Sequence, residues 1–185
     1  VCSSDLNKFG KGDWMVVEAD ESDGSFLKLP HQISIITNLD IEHLDYYNTS
    51  KNLISAFEKF ISNLPFYGFA IINEDDSNLR KIISKNDTRK IISYSNKNKN
   101  ADVFINKIIF EKEYSEFKLK FNIPINNISG LQSYTIKALG LHNIYNSTSS
   151  IIAALLAGVK NNYIKTALNN YIGVKKIGRA HVWTP

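Results

Sequence analysis

Short apolar runs that stop abruptly at charge or polarity punctuate the first part of the chain. The run WMVVEA, residues 14–19, ends in acids; ISIIT, residues 33–37, does the same; FAIIN, residues 69–73, follows. Runs of this length closed by charge predict strands covered on both faces of a parallel sheet. Between the second and third, Leu53, Ile54, Phe57, Phe60, Ile61 and Leu64 recur at three- and four-residue spacing. That period predicts an amphipathic helix from Ser50, stopped by Pro65. After the third run, Asp75 or Asp76 can cap a helix carrying Leu79, Ile82 and Ile83.

Strand, helix, strand, helix predicts an open α/β fold, a mostly parallel sheet flanked by helices, with ligands at the carboxyl ends of its strands. The polar stretch SNKNKN, residues 95–100, reads as a surface loop. Beyond it the pattern changes: residues 103–110 and the alternation Phe117, Leu119, Phe121 predict a small antiparallel subsheet with one exposed face. LHNIYNSTSSIIAALLAG, residues 141–158, starts polar and becomes a small-residue helix, and a last helix is expected over residues 161–171. No internal repeat is visible.

Composition adds limits. With 185 residues and 43% hydrophobic content the chain can bury a substantial core in about one domain. The net charge of +4 comes from scattered lysines rather than a basic block, which argues against nucleic acid as a partner. The charge is uneven: residues 18–45 hold seven carboxylates against Lys28 alone. An acidic pocket in a basic chain points to a cation site. The single Cys2 rules out an internal disulfide framework, no run is long enough for a membrane span, and no signal segment opens the chain, so a cytoplasmic location is expected.

Three clusters carry the candidate chemistry. Glu18, Asp20, Glu21 and Asp23 fall within six residues behind the first apolar run, with Ser22 among them. Such crowded carboxylates need cations, amide donors or open water, so a solvated acidic loop competes with a metal or substrate site. In TNLDIEHLD, His43 stands among Asp40, Glu42 and Asp45 after the second run, where a structural role competes with a catalytic one. In HNIYN, Asn143 and Asn146 lie three apart at a helix start and share a face. An Asn amide can pair with the edge of an adenine base, although capping the helix is the ordinary alternative. No serine lies in a G-x-S-x-G elbow, which argues against a hydrolase.

In order and spacing, EADESDGSF, TNLDIEHLD, NLPFYG and GLHNIYNSTSSIIAALLAG resemble the central domain of the Mur ligases, the ATP-dependent amide-forming enzymes of peptidoglycan synthesis. The resemblance covers about residues 10–175 and implies a P-loop NTPase-like fold. It is strongest to the branch that joins L-alanine to UDP-N-acetylmuramate; ligases that recycle murein tripeptide carry Tyr in place of Ser22. It implies ATP and Mg2+ as cofactors. Glu18 would hold the magnesium ion that bridges the ATP phosphates, and His43 would ligate a second. Asn143 and Asn146, with His142 beside them, would contact adenine. Asp20, Glu21, Ser22 and Asp23 would shape the substrate side. A tripeptide ligase and a non-catalytic nucleotide-binding module are the competing readings.

The family's phosphate-binding loop, ending G-K-[ST], is not found, and GKG at residues 10–12 lacks its glycine spacing and hydroxyl residue. The uridine-nucleotide and amino-acid domains of the family are not matched either. The chain on its own is therefore expected to be an inactive piece of the parent enzyme. VCSSDL at residues 1–6, within an irregular start over residues 1–9, and the tail over residues 176–185 resemble translated sequencing-adapter DNA and are expected to be non-native.

Overall fold

A computed structural model describes residues 11–85 and 91–171 of the chain; the two ends expected to be non-native lie outside them. Six strands form one sheet in chain order: β1 (Ile33–Ile36), β2 (Phe69–Asn73), β3 (Ile91–Ser95), β4 (Val103–Phe110), β5 (Ser115–Ile125) and β6 (Ile128–Ile136). The first four run parallel, and β4, β5 and β6 pair antiparallel. This is the expected mixture of a mainly parallel sheet and an antiparallel subsheet.

Five α-helices among the described residues complete the layers: α1 (Leu44–Tyr47), α2 (Ser50–Ser62), α3 (Ser77–Lys85), α4 (Leu141–Leu156) and α5 (Asn161–Asn170). The period-two alternation of β2 divides the interior. Ala70 and Ile72 face a core with Leu53, Phe60, Leu79 and Ile82 of α2 and α3. Ile71, between them, faces the opposite core with Ile144, Ile151 and Leu155 of α4 and Phe117 and Leu119 of β5. All three β2 residues are fully buried, as a strand covered on both faces requires.

Helix starts follow local chemistry. The Thr49 hydroxyl accepts the Asn52 N–H at 3.2 Å and starts α2. Asp76 accepts the N–H groups of Asn78 and Leu79 at 2.9 Å each, so of the two candidate caps for α3 it is Asp76 that serves. α4 begins differently: Gly140 precedes it with φ 97° and no side chain caps it. Buried Ser147, Thr148 and Ser149 let this helix lie close to the sheet, with the Thr148 hydroxyl donating to the Ile144 carbonyl.

Two expectations fail. Residues 14–19 form no strand: Met15 is 86% and Val16 97% exposed, and the segment has no ladder partner among the described residues. An apolar run is buried only where a neighbouring strand and a covering layer receive it, and beside β1 the described residues supply neither. Residues 95–100 are not wholly a surface loop either. Ser95 is the fully buried last residue of β3, and its hydroxyl accepts the N–H groups of Lys97 and Asn98 at 2.9 and 2.7 Å, shaping the turn that follows.

Candidate functional site

Glu18 lies in the irregular segment before the 3-10 turn, exposed, with no hydrogen-bond or ion-pair partner among the described residues. The acids after it are organised by short-range bonds. Asp20 accepts the Ser22 N–H and Asp23 the Ser25 N–H, each at 2.9 Å. The Ser22 contacts hold the Asp20 carboxyl below its ordinary range, and the Ser25 contacts do the same for Asp23. Both stay charged without needing a cation. Gly24, at φ 70°, then turns the chain into a short 3-10 helix, Ser25–Lys28, whose Phe26 enters the core. A Cβ at Gly24 would lie 2.6 Å from the Tyr46 hydroxyl, so that tyrosine packs directly on the turn.

The acidic loop and the His43 loop are brought together. The Tyr47 hydroxyl donates to the Glu21 carbonyl, and His43 Nε2 lies 4.0 Å from Glu21 Oε1. Burial pushes the Tyr47 phenol up, so it stays a donor. His43 itself adopts φ 56° immediately before α1, a backbone state uncommon outside glycine. Asp40, Glu42 and Asp45 remain exposed around it.

A chain of contacts ties this region to the start of α4. Asn73 Nδ2 donates to the Thr37 carbonyl at 3.0 Å, and Asn78 Nδ2 to the Leu39 carbonyl at 3.0 Å, linking the carboxyl ends of β1 and β2. Asp75, just beyond β2, accepts the hydroxyls of Ser95 and Tyr145 at 2.6 Å each and the Asn96 N–H at 2.7 Å. The three sequence clusters therefore share the carboxyl end of the parallel strands. Tyr46, Tyr47, Asp75 and Tyr145 hold them there, and sequence reasoning missed all four as site residues. The signals were small: Tyr145 sits inside HNIYN, and Asp75 follows a strand end.

On α4, Asn143 and Asn146 line one groove of about 510 Å³ with Ser147, Ser150, Tyr163 and Tyr171. Asn143 Nδ2 donates to the Leu139 carbonyl at 2.7 Å. His142 is exposed, its ring packed about the Gly140 turn.

Burial pushes the Asp75 carboxyl up, but the bonds from Ser95, Tyr145 and Asn96 outweigh it and hold the group below its ordinary value of 3.8. A depressed carboxylate stabilises the fold fully above its unfolded pKa and loses that contribution as pH falls through the folded value. Urea denaturation is therefore expected to find Asp75→Asn less stable than the parent at pH 7. The gap should shrink below about pH 3.8. A gap that stays constant from pH 7 to pH 2 would contradict the sign.

No group of three or more His, Cys, Asp or Glu side chains gathers around a metal position among the described residues. The described residues thus offer single ligands rather than a cage. That suits magnesium, which is commonly held by one or two carboxylates together with water and phosphate oxygens. The free Glu18 carboxylate fits such a role. The His43 imidazole fits less well on ligand hardness.

Residues 6–154 match the family model of the Mur ligase middle domain. The chain belongs to the Mur ligase family. Among known Mur ligases, the UDP-N-acetylmuramate--L-alanine ligase of Pelagibacter ubique is 41% identical over 169 residues, 91% of this chain and 36% of that protein. The chain thus spans about a third of the length of such relatives. The fold matches a UDP-N-acetylmuramate-alanine ligase from Thermotoga maritima with a TM-score of 0.67 at 21% identity, over 84% of this chain and 32% of that one. It also matches a UDP-N-acetylmuramate:L-alanyl-gamma-D-glutamyl-meso-diaminopimelate ligase from Neisseria meningitides with a TM-score of 0.69 at 18% identity, over 86% of this chain and 48% of that one. No helix among the described residues is long and apolar enough to cross a membrane.

Proposed function

We propose that this chain is the ATP-binding portion of a ligase that joins L-alanine to the lactyl carboxylate of UDP-N-acetylmuramate, in the cytoplasm. The observation that carries this is the 41% identity over 91% of the chain to an enzyme of that name. The assembly of the acidic loop, the His43 loop and the first turn of α4 at one end of the sheet supports it, because ligands of open α/β sheets bind there.

In this reading the γ-phosphoryl group of ATP passes to the lactyl carboxylate, giving an acyl phosphate and ADP. The amine of L-alanine attacks the acyl carbon, and the tetrahedral species collapses to the amide and phosphate. Phosphorylation is required because a carboxylate oxygen is a poor leaving group. Magnesium, when bound, neutralises charge on the transferred phosphoryl group. Glu18 would hold the ion beside the ATP phosphates, and His43 would serve the acyl-phosphate side. Asp20 and Asp23, fixed by Ser22 and Ser25, and Glu21, pinned through its backbone by Tyr47, would form the wall facing the sugar nucleotide. Asn143 and Asn146 present amides on one groove and would take the adenine edge, with His142 beside it.

A full-length ligase built around this segment tests the reading. Phosphate release should require ATP, UDP-N-acetylmuramate and L-alanine together, and replacing L-alanine by the murein tripeptide should abolish it. Release with the tripeptide and none with L-alanine would move the assignment to the recycling branch. Failure of magnesium ATP to bind would remove ligase chemistry altogether.

A further inference from the structure

The start of α4 carries two of the residues assigned above to the nucleotide, yet it is weakly fixed by its own sequence. Gly140 supplies no side-chain cap, and among the described residues the Asn143 side-chain amide bonds to the adjoining Leu139 carbonyl alone. Among the described residues, one hydrogen bond joins the first two turns of this helix to another element: Tyr145 to Asp75, 70 positions away in sequence. Asp75 is anchored in turn. Its Oδ1 accepts the Ser95 hydroxyl and its Oδ2 the Asn96 N–H. Its own N–H donates to Asn73 Oδ1 at 3.1 Å, and Asn73 reaches the end of β1 through the Thr37 carbonyl. Glu74 beside it accepts the Asn98 amide at 2.7 Å. One carboxylate thus binds the loops after β2 and β3 to the helix.

We propose that Asp75 is a positioning residue for the nucleotide: through Tyr145 it sets the rotation and axial height of α4 and so the direction in which Asn143 and Asn146 present their amides. The inference rests on the adenine assignment of those two residues. Tyr145 lies between them in sequence, and successive helical residues differ by about 100°. A hydrogen bond at Tyr145 therefore fixes the face that Asn143 and Asn146 share. Ile144, fully buried, holds the helix against the sheet, and the Tyr145 bond adds a directional contact on another side of it. A carboxylate suits the hub because three donors converge on it. An Asn would offer one acceptor oxygen and turn its NH2 toward a donor. If the helix reaches its competent orientation only part of the time, ATP affinity falls by that fraction while chemistry on bound ATP is unchanged.

The test uses Tyr145→Phe, Asp75→Asn and Asn146→Ala in a full-length ligase carrying this segment, with hydrogen exchange on the present chain. Tyr145→Phe and Asp75→Asn should each raise KM for ATP about five- to tenfold. They should leave kcat and the KM values for L-alanine and UDP-N-acetylmuramate within about twofold. The double variant should raise KM for ATP no further than Asp75→Asn does, because both changes break the same link. Amides of residues 145–148 should exchange faster in either variant while those of β4, β5 and β6 do not. Equal KM increases for all three substrates, or unchanged exchange in α4, would overturn the proposal. If Asn146→Ala leaves KM for ATP unaltered, the adenine assignment fails, and the positioning role falls with it. If Asn146→Ala raises it and Tyr145→Phe does not, the assignment stands and the positioning role is wrong. Should Asp75→Asn fail to fold, Tyr145→Phe, which removes one bond and no charge, decides alone.

Discussion

Replacing Glu18 by Ala in a full-length ligase that carries this segment is expected to lower kcat by about a thousandfold while leaving the thermal transition of the fold where it was. The two halves of that result have separate causes. Glu18 is exposed and has no hydrogen-bond or ion-pair partner among the described residues, so its loss removes no packing and strands no buried group. Its proposed task is to hold the cation that offsets charge on a phosphoryl group in transfer, and removing a group that stabilises such charge costs roughly two to three orders of magnitude or more. Glu18→Gln should lose nearly as much, since an amide keeps the shape and loses the charge. Steady-state phosphate release and a melting curve on the same preparations check both halves. A kcat within about tenfold of the parent would withdraw Glu18 from the reaction.

The largest loss of stability is expected from Phe117→Ala. Phe117 is 1% exposed on β5, between β4 and β6, and stacks on Tyr134 with ring centroids 5.8 Å apart. It belongs to the core that supports α4 and α5. Truncating a buried Phe removes its transfer free energy and leaves a cavity, about 3–5 kcal/mol together, against a total stability of about 5–15 kcal/mol for a domain. Urea denaturation should show a much lower midpoint with little change in slope. Phe66→Ala is the control: that ring is 90% exposed, and its loss should cost no more than about 0.5 kcal/mol. A Phe117→Ala loss no larger than the control's would mean that this core does not limit stability.

The contrast between these two phenylalanines shows what a sequence does and does not carry. Phe117 declares itself by alternating with Leu119 and Phe121, and α2 by its helical spacing, because burial on one face leaves a period. FAIIN is legible as a strand covered on both sides for the same reason: Ile71 and Ile72 really do face two different cores. WMVV reads identically and is exposed. Hydrophobicity records the demand for a partner and says nothing of whether the partner is at hand. β3 escaped for the opposite reason. Ser93 and Ser95 interrupt the apolar character of IISYS, and their burial becomes intelligible only once Asp102 and Asp75 are seen to accept their hydroxyls. In the candidate site, the residue types were legible from the clusters themselves. The tyrosines that bring the clusters together were not, since a contact between Glu21 and Tyr47, or Asp75 and Tyr145, leaves no periodic trace.

The strands of the sheet follow one another in space as they do in sequence. Each pairing therefore closes only the segment between two consecutive strands, and the entropy lost on closure grows slowly with the length of that segment. The sheet can assemble by a series of short steps. The bond that orients the start of α4 spans 70 positions. The part of the molecule that would meet the nucleotide thus carries the longest-range hydrogen bond among the described residues, and a chain that has completed its sheet still has that closure to make.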